Sequence, residues 1–141
     1  MTSGGAAGSD AEYPSVAISH GDYAAEIALF GGAIKALTYR GAPLVESYEG
    51  KPPLMAGVVL APWPNRTADG WFEWQGSAHQ LEITEPERNN AIHGFAVDWW
   101  RVKERTESRV NLAFDIEPRH GWPWAIPVSY THLTLPTSDL V

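Results

Sequence analysis

Apolar residues along this chain alternate with polar or small ones over short runs, and turn-forming residues separate the runs. Val16 and Ile18 form the first such face, ending at His20-Gly21-Asp22. Tyr23, Ala25, Ile27 and Leu29 form the second. The two-residue connection Gly21-Asp22 predicts a β-hairpin. After Gly31-Gly32, Ile34 and Leu37 have helical spacing. The window Ala33 to Tyr39 is too short to hold a helix, however, and Thr38 and Tyr39 favour a strand. Gly41-Ala42-Pro43 turns the chain, Leu44-Val45 predicts a further brief strand, and Ser47 to Pro53 a loop. Leu54 to Leu60 is mostly apolar and reads as a buried strand or a covered segment.

Phe72 and Trp74, then Leu81 and Ile83, alternate with polar neighbours around Gln75-Gly76-Ser77, which predicts a hairpin with three turn residues. Trp100 and Val102 alternate with Arg101 and Lys103. Val110, Leu112, Phe114 and Ile116 give the cleanest strand pattern, joined to the preceding one through Thr106-Glu107-Ser108. Pro123 and Pro127 exclude a central strand at their positions. Seven or more short strands, spaced by turns and without a helical pattern, predict an all-β fold of antiparallel sheets packed as a sandwich or barrel.

Composition narrows the functional classes. The 141 residues, 44% hydrophobic and 19% charged, fall in the globular range, and 7 Trp with 11 Pro and 13 Gly suit a turn-rich β protein. Without cysteine there is no disulfide, thiolate metal site or cysteine nucleophile. A formal charge of −7, with scattered basic residues, argues against a nucleic-acid partner. No apolar run approaches the roughly 20 residues that span a bilayer, so no membrane partner is expected. The start lacks a signal-peptide pattern, so a cytoplasmic setting is the default expectation.

Candidate chemistry concentrates between Leu60 and Phe95, where aromatic faces with a few fixed polar groups suit a sugar better than a nucleotide or lipid. Pro62-Trp63-Pro64 stiffens the chain ahead of Asn65-Arg66, and a fixed guanidinium offers several donors to hydroxyls or a carboxylate. In the plainer alternative, Asn65 sets a turn and Arg66 meets a surface acid such as Asp69. Asn65-Arg66-Thr67 also matches a glycosylation sequon, relevant only to a secreted protein. His93 sits at a corner between Asn89-Asn90 and Gly94, placed to bind hydroxyls, to exchange protons, or simply to satisfy the loop. His79 reads as solvated on a polar strand face, and His120 as part of a turn packed by aromatics. Glu85 and Glu87, flanking Pro86, read as solvated carboxylates. The five histidines have no metal-ligand spacing, and neither a metal nor a cofactor is expected.

The chain resembles the aldose 1-epimerase (galactose mutarotase) family. The matching pieces are Gly31-Gly32-Ala33, Pro62-Trp63-Pro64-Asn65-Arg66, Asp69-Gly70, His79-Gln80-Leu81, Thr84-Glu85-Pro86, Asn90-Ala91-Ile92-His93-Gly94, Trp99, Trp100-Arg101-Val102 and Gly121-Trp122-Pro123, in order over about residues 15 to 127. Thr67 departs from the aliphatic residue usual after Asn-Arg, and Phe95 from a more usual Gly or Leu. The resemblance implies a β-supersandwich and interconversion of the α and β anomers of hexoses such as glucose or galactose. It also implies that Asn65, Arg66 and His93 contact the monosaccharide. The family's general acid, a second His, and general base, a late Glu, have no counterpart here, so the resemblance assigns no catalytic residue and implies a chain inactive by itself. A non-catalytic carbohydrate-binding protein on the same scaffold, or a relative acting on a sugar phosphate such as glucose 6-phosphate, are the alternatives.

Residues 1–12 are expected to form a disordered leader, and 13–127 the N-terminal part of such a domain. Residues 128–141, SYTHLTLPTSDLV with the preceding Val, resemble translated sequencing-adapter sequence and are expected to be a non-native tail, although their alternation would also suit a natural strand. The sequence leaves the oligomeric state open.

Overall fold

The computed structural model describes residues 8–134. Four strands, β1 (Ser15–His20), β2 (Tyr23–Ala28), β3 (Ile34–Tyr39) and β4 (Ala42–Pro43), follow one another as an antiparallel sheet in sequence order. The hairpin predicted at Gly21-Asp22 forms, with His20 opposite Tyr23, and Ile34–Tyr39 is a strand as its Thr and Tyr suggested. The brief strand expected at Leu44-Val45 lies instead at Ala42–Pro43. Leu54 to Leu60 is not a strand, and only its second half is covered: Val58 to Leu60 are half-buried and Val59 packs against the core. A short 3-10 turn at Pro53–Met55 puts Leu54 and Met55 at positive φ, and Leu54 is fully exposed.

Two small antiparallel pairs come next. β5 (Arg66–Ala68) pairs with β8 (Asn90–Ile92), and β6 (Trp71–Trp74) pairs with β7 (Ser77–Gln80). The β6–β7 turn has two residues, not three. Trp74 pairs with Ser77, while Gln75 at φ +49 and Gly76 at φ +79 adopt the double left-handed conformation whose twist matches a hairpin.

The second large sheet has the order β11–β10–β9, with β9 at Arg101–Arg105, β10 at Arg109–Ile116 and β11 at Ile126–Leu133. Its central strand is the one with the cleanest alternation. Val110, Leu112 and Ile116 are almost wholly buried, while Asn111 points outward to hydrogen-bond Ser129 and Thr131 across the sheet. Val102, expected to face inward beside Trp100, is 40% exposed on the edge strand. Pro127 lies within β11, opposite Asp115, and β11 is an edge, where a missing N–H is tolerated.

The sandwich core lies between the two large sheets. Val16, Ile18, Ala25 and Ile27 face Val110, Leu112, Phe114 and Ile116, with Trp100 and Ala96 completing it. The Trp100 indole N–H donates to the Ala96 carbonyl at 2.9 Å, so its large apolar ring is buried at no polar cost. The β9–β10 turn caps the margin of β1: Ser19 N–H donates to Glu107 O at 2.7 Å and Arg105 Nη2 to Ala17 O at 2.9 Å.

Both expected ends of the domain are occupied in their described parts. Residues 1–7 of the leader lie outside the described residues, but Ser9 to Glu12 form a turn. Its Asp10 accepts from the buried Lys35 Nζ and from Gly50 N, each at 2.7 Å. Of the segment expected to fall outside the domain, residues 128–133 are part of β11 and pair with Arg109 to Phe114 of β10. The rest of that segment, from residue 135, lies outside the described residues. Among the described residues, no helix is long and apolar enough to cross a membrane.

Candidate functional site

The site begins where two distant loops are fastened to one another. Gly94 lies against Ala61, bridged in parallel, and Phe95 N–H donates to the Ala61 carbonyl at 2.8 Å. Gly94 has φ +64, and any Cβ there would collide with the Ala61 carbonyl, so only glycine allows this approach. The Ala61-Pro62 peptide is cis, and Pro62-Trp63-Pro64 carries the chain to Asn65.

Asn65 and His93 then join reciprocally. His93 N–H donates to the Asn65 carbonyl, and Asn65 N–H donates to His93 Nδ1, both at 2.9 Å. Both residues take left-handed backbone conformations, φ +62 and +61. Because Nδ1 accepts, a neutral His93 ring carries its proton on Nε2, and that N–H is a donor. The β5–β8 pair continues from this junction with Arg66 opposite Ile92.

Arg66 is held by Glu85, a carboxylate expected from the sequence to be solvated. Its Nε donates to Glu85 Oε1 at 2.7 Å and its Nη2 to Glu85 Oε2 at 2.9 Å, a two-pronged ion pair. A third bond runs from Nη1 to Asn65 Oδ1 at 3.3 Å. Asn90 Nδ2 also donates to Glu85 Oε1 at 3.0 Å, and Glu85 and Asn90 exchange both backbone bonds, closing the loop between them. Thr84 Oγ1 accepts from Ile92 N–H at 2.9 Å.

The expectation of solvated acids therefore holds for exposed Glu87 and fails for Glu85, whose side chain is only 18% exposed. Asp69, the acid first considered for Arg66, instead accepts from Asn89 Nδ2 at 2.9 Å. The signal that could have found Glu85 was weak. It is the Pro after it, which starts a turn returning the chain to Asn90 beside β5.

Hydrogen bonds from Arg66 and then Asn90, with the Arg66 charge, hold the Glu85 carboxyl down to about 2. A depressed carboxyl contributes stability above its unfolded value, 4.5, and loses it as pH falls towards the folded value. The urea midpoint should therefore fall between about pH 4.5 and 2, and Glu85→Gln should flatten that fall. An unchanged pH profile in the variant would refute the assignment.

The other histidines are placed differently from the reading of the sequence in one case. His79 is half-buried rather than fully solvated: it stacks on Phe72, ring centres 5.0 Å apart and planes 22° apart, and lies 4.9 Å from Trp124. His120 is exposed at the Arg119–Trp122 turn, whose Trp122 packs against Trp63, Phe95 and Trp124. His132 on β11 is hydrogen-bonded to the Gly32 carbonyl at 2.8 Å, and burial lowers its pKa. Thus Asn65, Arg66 and His93 come together, with Glu85, Asn90 and Thr84 around them.

Comparison with known proteins agrees with this picture. The family described as aldose 1-epimerase matches residues 14–135. The uncharacterized protein YihR of Escherichia coli K12 is 37% identical over 115 residues, covering 79% of this chain and 37% of that protein. Among solved structures, a GalM/aldose epimerase homologue from C. elegans superposes with a TM-score of 0.74 at 15% identity, over 86% of this chain and 42% of that one. A galactose 1-epimerase from Lactobacillus acidophilus gives 0.70 at 16% identity, over 83% and 39%. The chain spans about two fifths of the length of these relatives. On its sequence match and its antiparallel β fold, the chain belongs to the aldose 1-epimerase family.

Proposed function

We infer that the Asn65–Arg66–His93 corner positions a neutral hexose, and that the protein serves interconversion of its α and β anomers. The observation that carries this reading is the Arg66–Glu85 ion pair. Glu85 neutralises the guanidinium and fixes its plane, while N–H groups on Nη1 and Nη2 stay without partners among the described residues. Together with His93 Nε2–H they form a rigid set of donors without net positive charge, which suits hydroxyls. A phosphate would find its strongest candidate partner already occupied, which counts against a sugar-phosphate substrate.

Ring opening needs a base on the anomeric hydroxyl and an acid at the ring oxygen. Glu85 is a poor base, since its carboxyl is held near 2 and both oxygens are engaged. No residue of this corner fills either role, so the chain by itself is expected to bind sugar without speeding mutarotation. The cytoplasmic setting belongs to the same proposal.

Two measurements test it together. D-glucose or D-galactose should shift the Arg66 Nε–H and His93 ring resonances in NMR spectra, and glucose 6-phosphate should bind no better. Polarimetry of fresh α-D-glucose should show the uncatalysed rate. Absence of any shift would sink the sugar site, whereas acceleration would sink only the inactive-chain part.

A further inference from the structure

The pairing of β5 with β8 brings one more side chain onto the carboxylate that holds Arg66. In this two-stranded ribbon Arg66 lies opposite Ile92 and Ala68 opposite Asn90. Side chains alternate with a period of two, so Arg66 and Asn90 share a face and meet on its diagonal. Asn90 Nδ2 donates to Glu85 Oε1 at 3.0 Å, the same oxygen that accepts from Arg66 Nε at 2.7 Å. Among the described residues, this is the only hydrogen bond of the Asn90 side chain.

Closing the loop does not require this side chain. The Asn90 backbone already does so, accepting from Thr84 N–H at 3.1 Å and Glu85 N–H at 2.9 Å and donating to the Glu85 carbonyl at 3.2 Å. The chemistry of the amide suits a different task. A carboxylate at this position would set a second negative charge beside Glu85, and a lysine or arginine would compete with Arg66 for it. A neutral donor fills the second lone pair of Oε1 and leaves one cation balanced by one anion.

We propose that Asn90 is a positioning residue of the Asn65–Arg66–His93 corner: by fixing the Glu85 carboxylate, it sets the plane in which Arg66 presents its Nη donors. This role presupposes that the corner positions a sugar, as inferred above, and Asn90 acts on it only through Glu85. Two Arg66 nitrogens hold the carboxylate along one edge. With that edge alone it would rock, and the guanidinium would rock with it. Asn90 reaches the carboxylate from the other strand of the ribbon, so β5 and β8 grip it together.

Asn90→Asp tests this, because it keeps the shape and the backbone bonds and replaces the donor by a second carboxylate. Titrated with D-glucose in the full chain and followed by NMR, the variant should bind roughly tenfold more weakly at pH 7. The loss should reverse by about pH 4, since two adjacent carboxyls share a proton and the protonated Asp then donates to Glu85 as the amide did. Arg66 and Arg88, the charged groups acting on Glu85, favour its ionised form and leave the proton to the introduced carboxyl. Comparison with the unsubstituted chain at each pH cancels the contribution of His93 in the same corner. Asn90→Ala should lose affinity and recover nothing in acid. Unchanged affinity in Asn90→Asp at pH 7 would overturn the proposal, and so would a loss that acid does not reverse, which is the mark of a merely structural role. If Asn90→Asp fails to fold, the unsubstituted chain decides: glucose should shift the Asn90 side-chain amide signals together with Arg66 Nε–H, and amide signals that stay still would refute the coupling. If the unsubstituted chain binds no glucose, the sugar reading fails by itself. The Arg66 Nε–H signal, displaced in Asn90→Asp at pH 7 and restored by about pH 4, then still decides whether Asn90 positions Arg66.

Discussion

Replacing Gly94 by alanine should cost the chain about 3–4 kcal/mol. Two costs add. The backbone at φ +64 is left-handed, which charges an L side chain about 1–2 kcal/mol. The new Cβ would also meet the Ala61 carbonyl and the Pro62 nitrogen, both backbone atoms that cannot swing aside. Relief requires parting the two strands of chain, which would break the Phe95-to-Ala61 bond and loosen the His93–Asn65 junction next to it. Gly76→Ala is the control. It has φ +79 but nothing within reach of its Cβ, so it should lose only the conformational part, about 1 kcal/mol. Urea unfolding followed by circular dichroism measures both. Equal losses in the two variants would show that the contact with Ala61 contributes nothing.

Arg66→Ala should weaken hexose binding by roughly 10–100-fold, the range for hydrogen bonds made by a charged donor. The substitution removes the free Nη donors and also releases Glu85, whose carboxyl would then keep only the Asn90 bond. Arg66→Lys separates the two contributions. A lysine keeps the charge beside Glu85 but cannot engage both its oxygens in a fixed plane, so its donor would no longer be held for the sugar. An intermediate loss is expected. Arg66 is partly exposed, and both variants should remain folded, which a thermal melt would verify. Affinity for glucose unchanged in Arg66→Ala would remove Arg66 from the site.

The sequence made the strands legible wherever one face is buried. Val110 to Ile116 alternates because the sheet has a covered and an open side, and the pattern survives a bulge at Asn111/Leu112. It failed where composition and coverage part company. Leu54 is apolar yet sits at the tip of a turn, and His79 is polar yet lies between Phe72 and Trp124. The sequence predicts the Gln75-Gly76 turn one residue too long because Ser77 is as good a turn former as a strand end, and only pairing with Trp74 decides. In the site, Asn65, Arg66 and His93 stood out through their prolines and glycines, which mark fixed backbone. Glu85 did not, because its importance comes from a partner 19 residues away and nothing local announces that contact.

The loop from Glu85 to Asn90 closes on itself through its own backbone bonds, with Pro86 to Asn89 as an exposed tip. In evolutionary terms this separates what must stay from what can drift. The tip can change its residues while the closing pair keeps the Glu85 carboxylate, and through it the Arg66 plane, in register. Variation among relatives can thus reach the rim of the site without disturbing the groups at its centre.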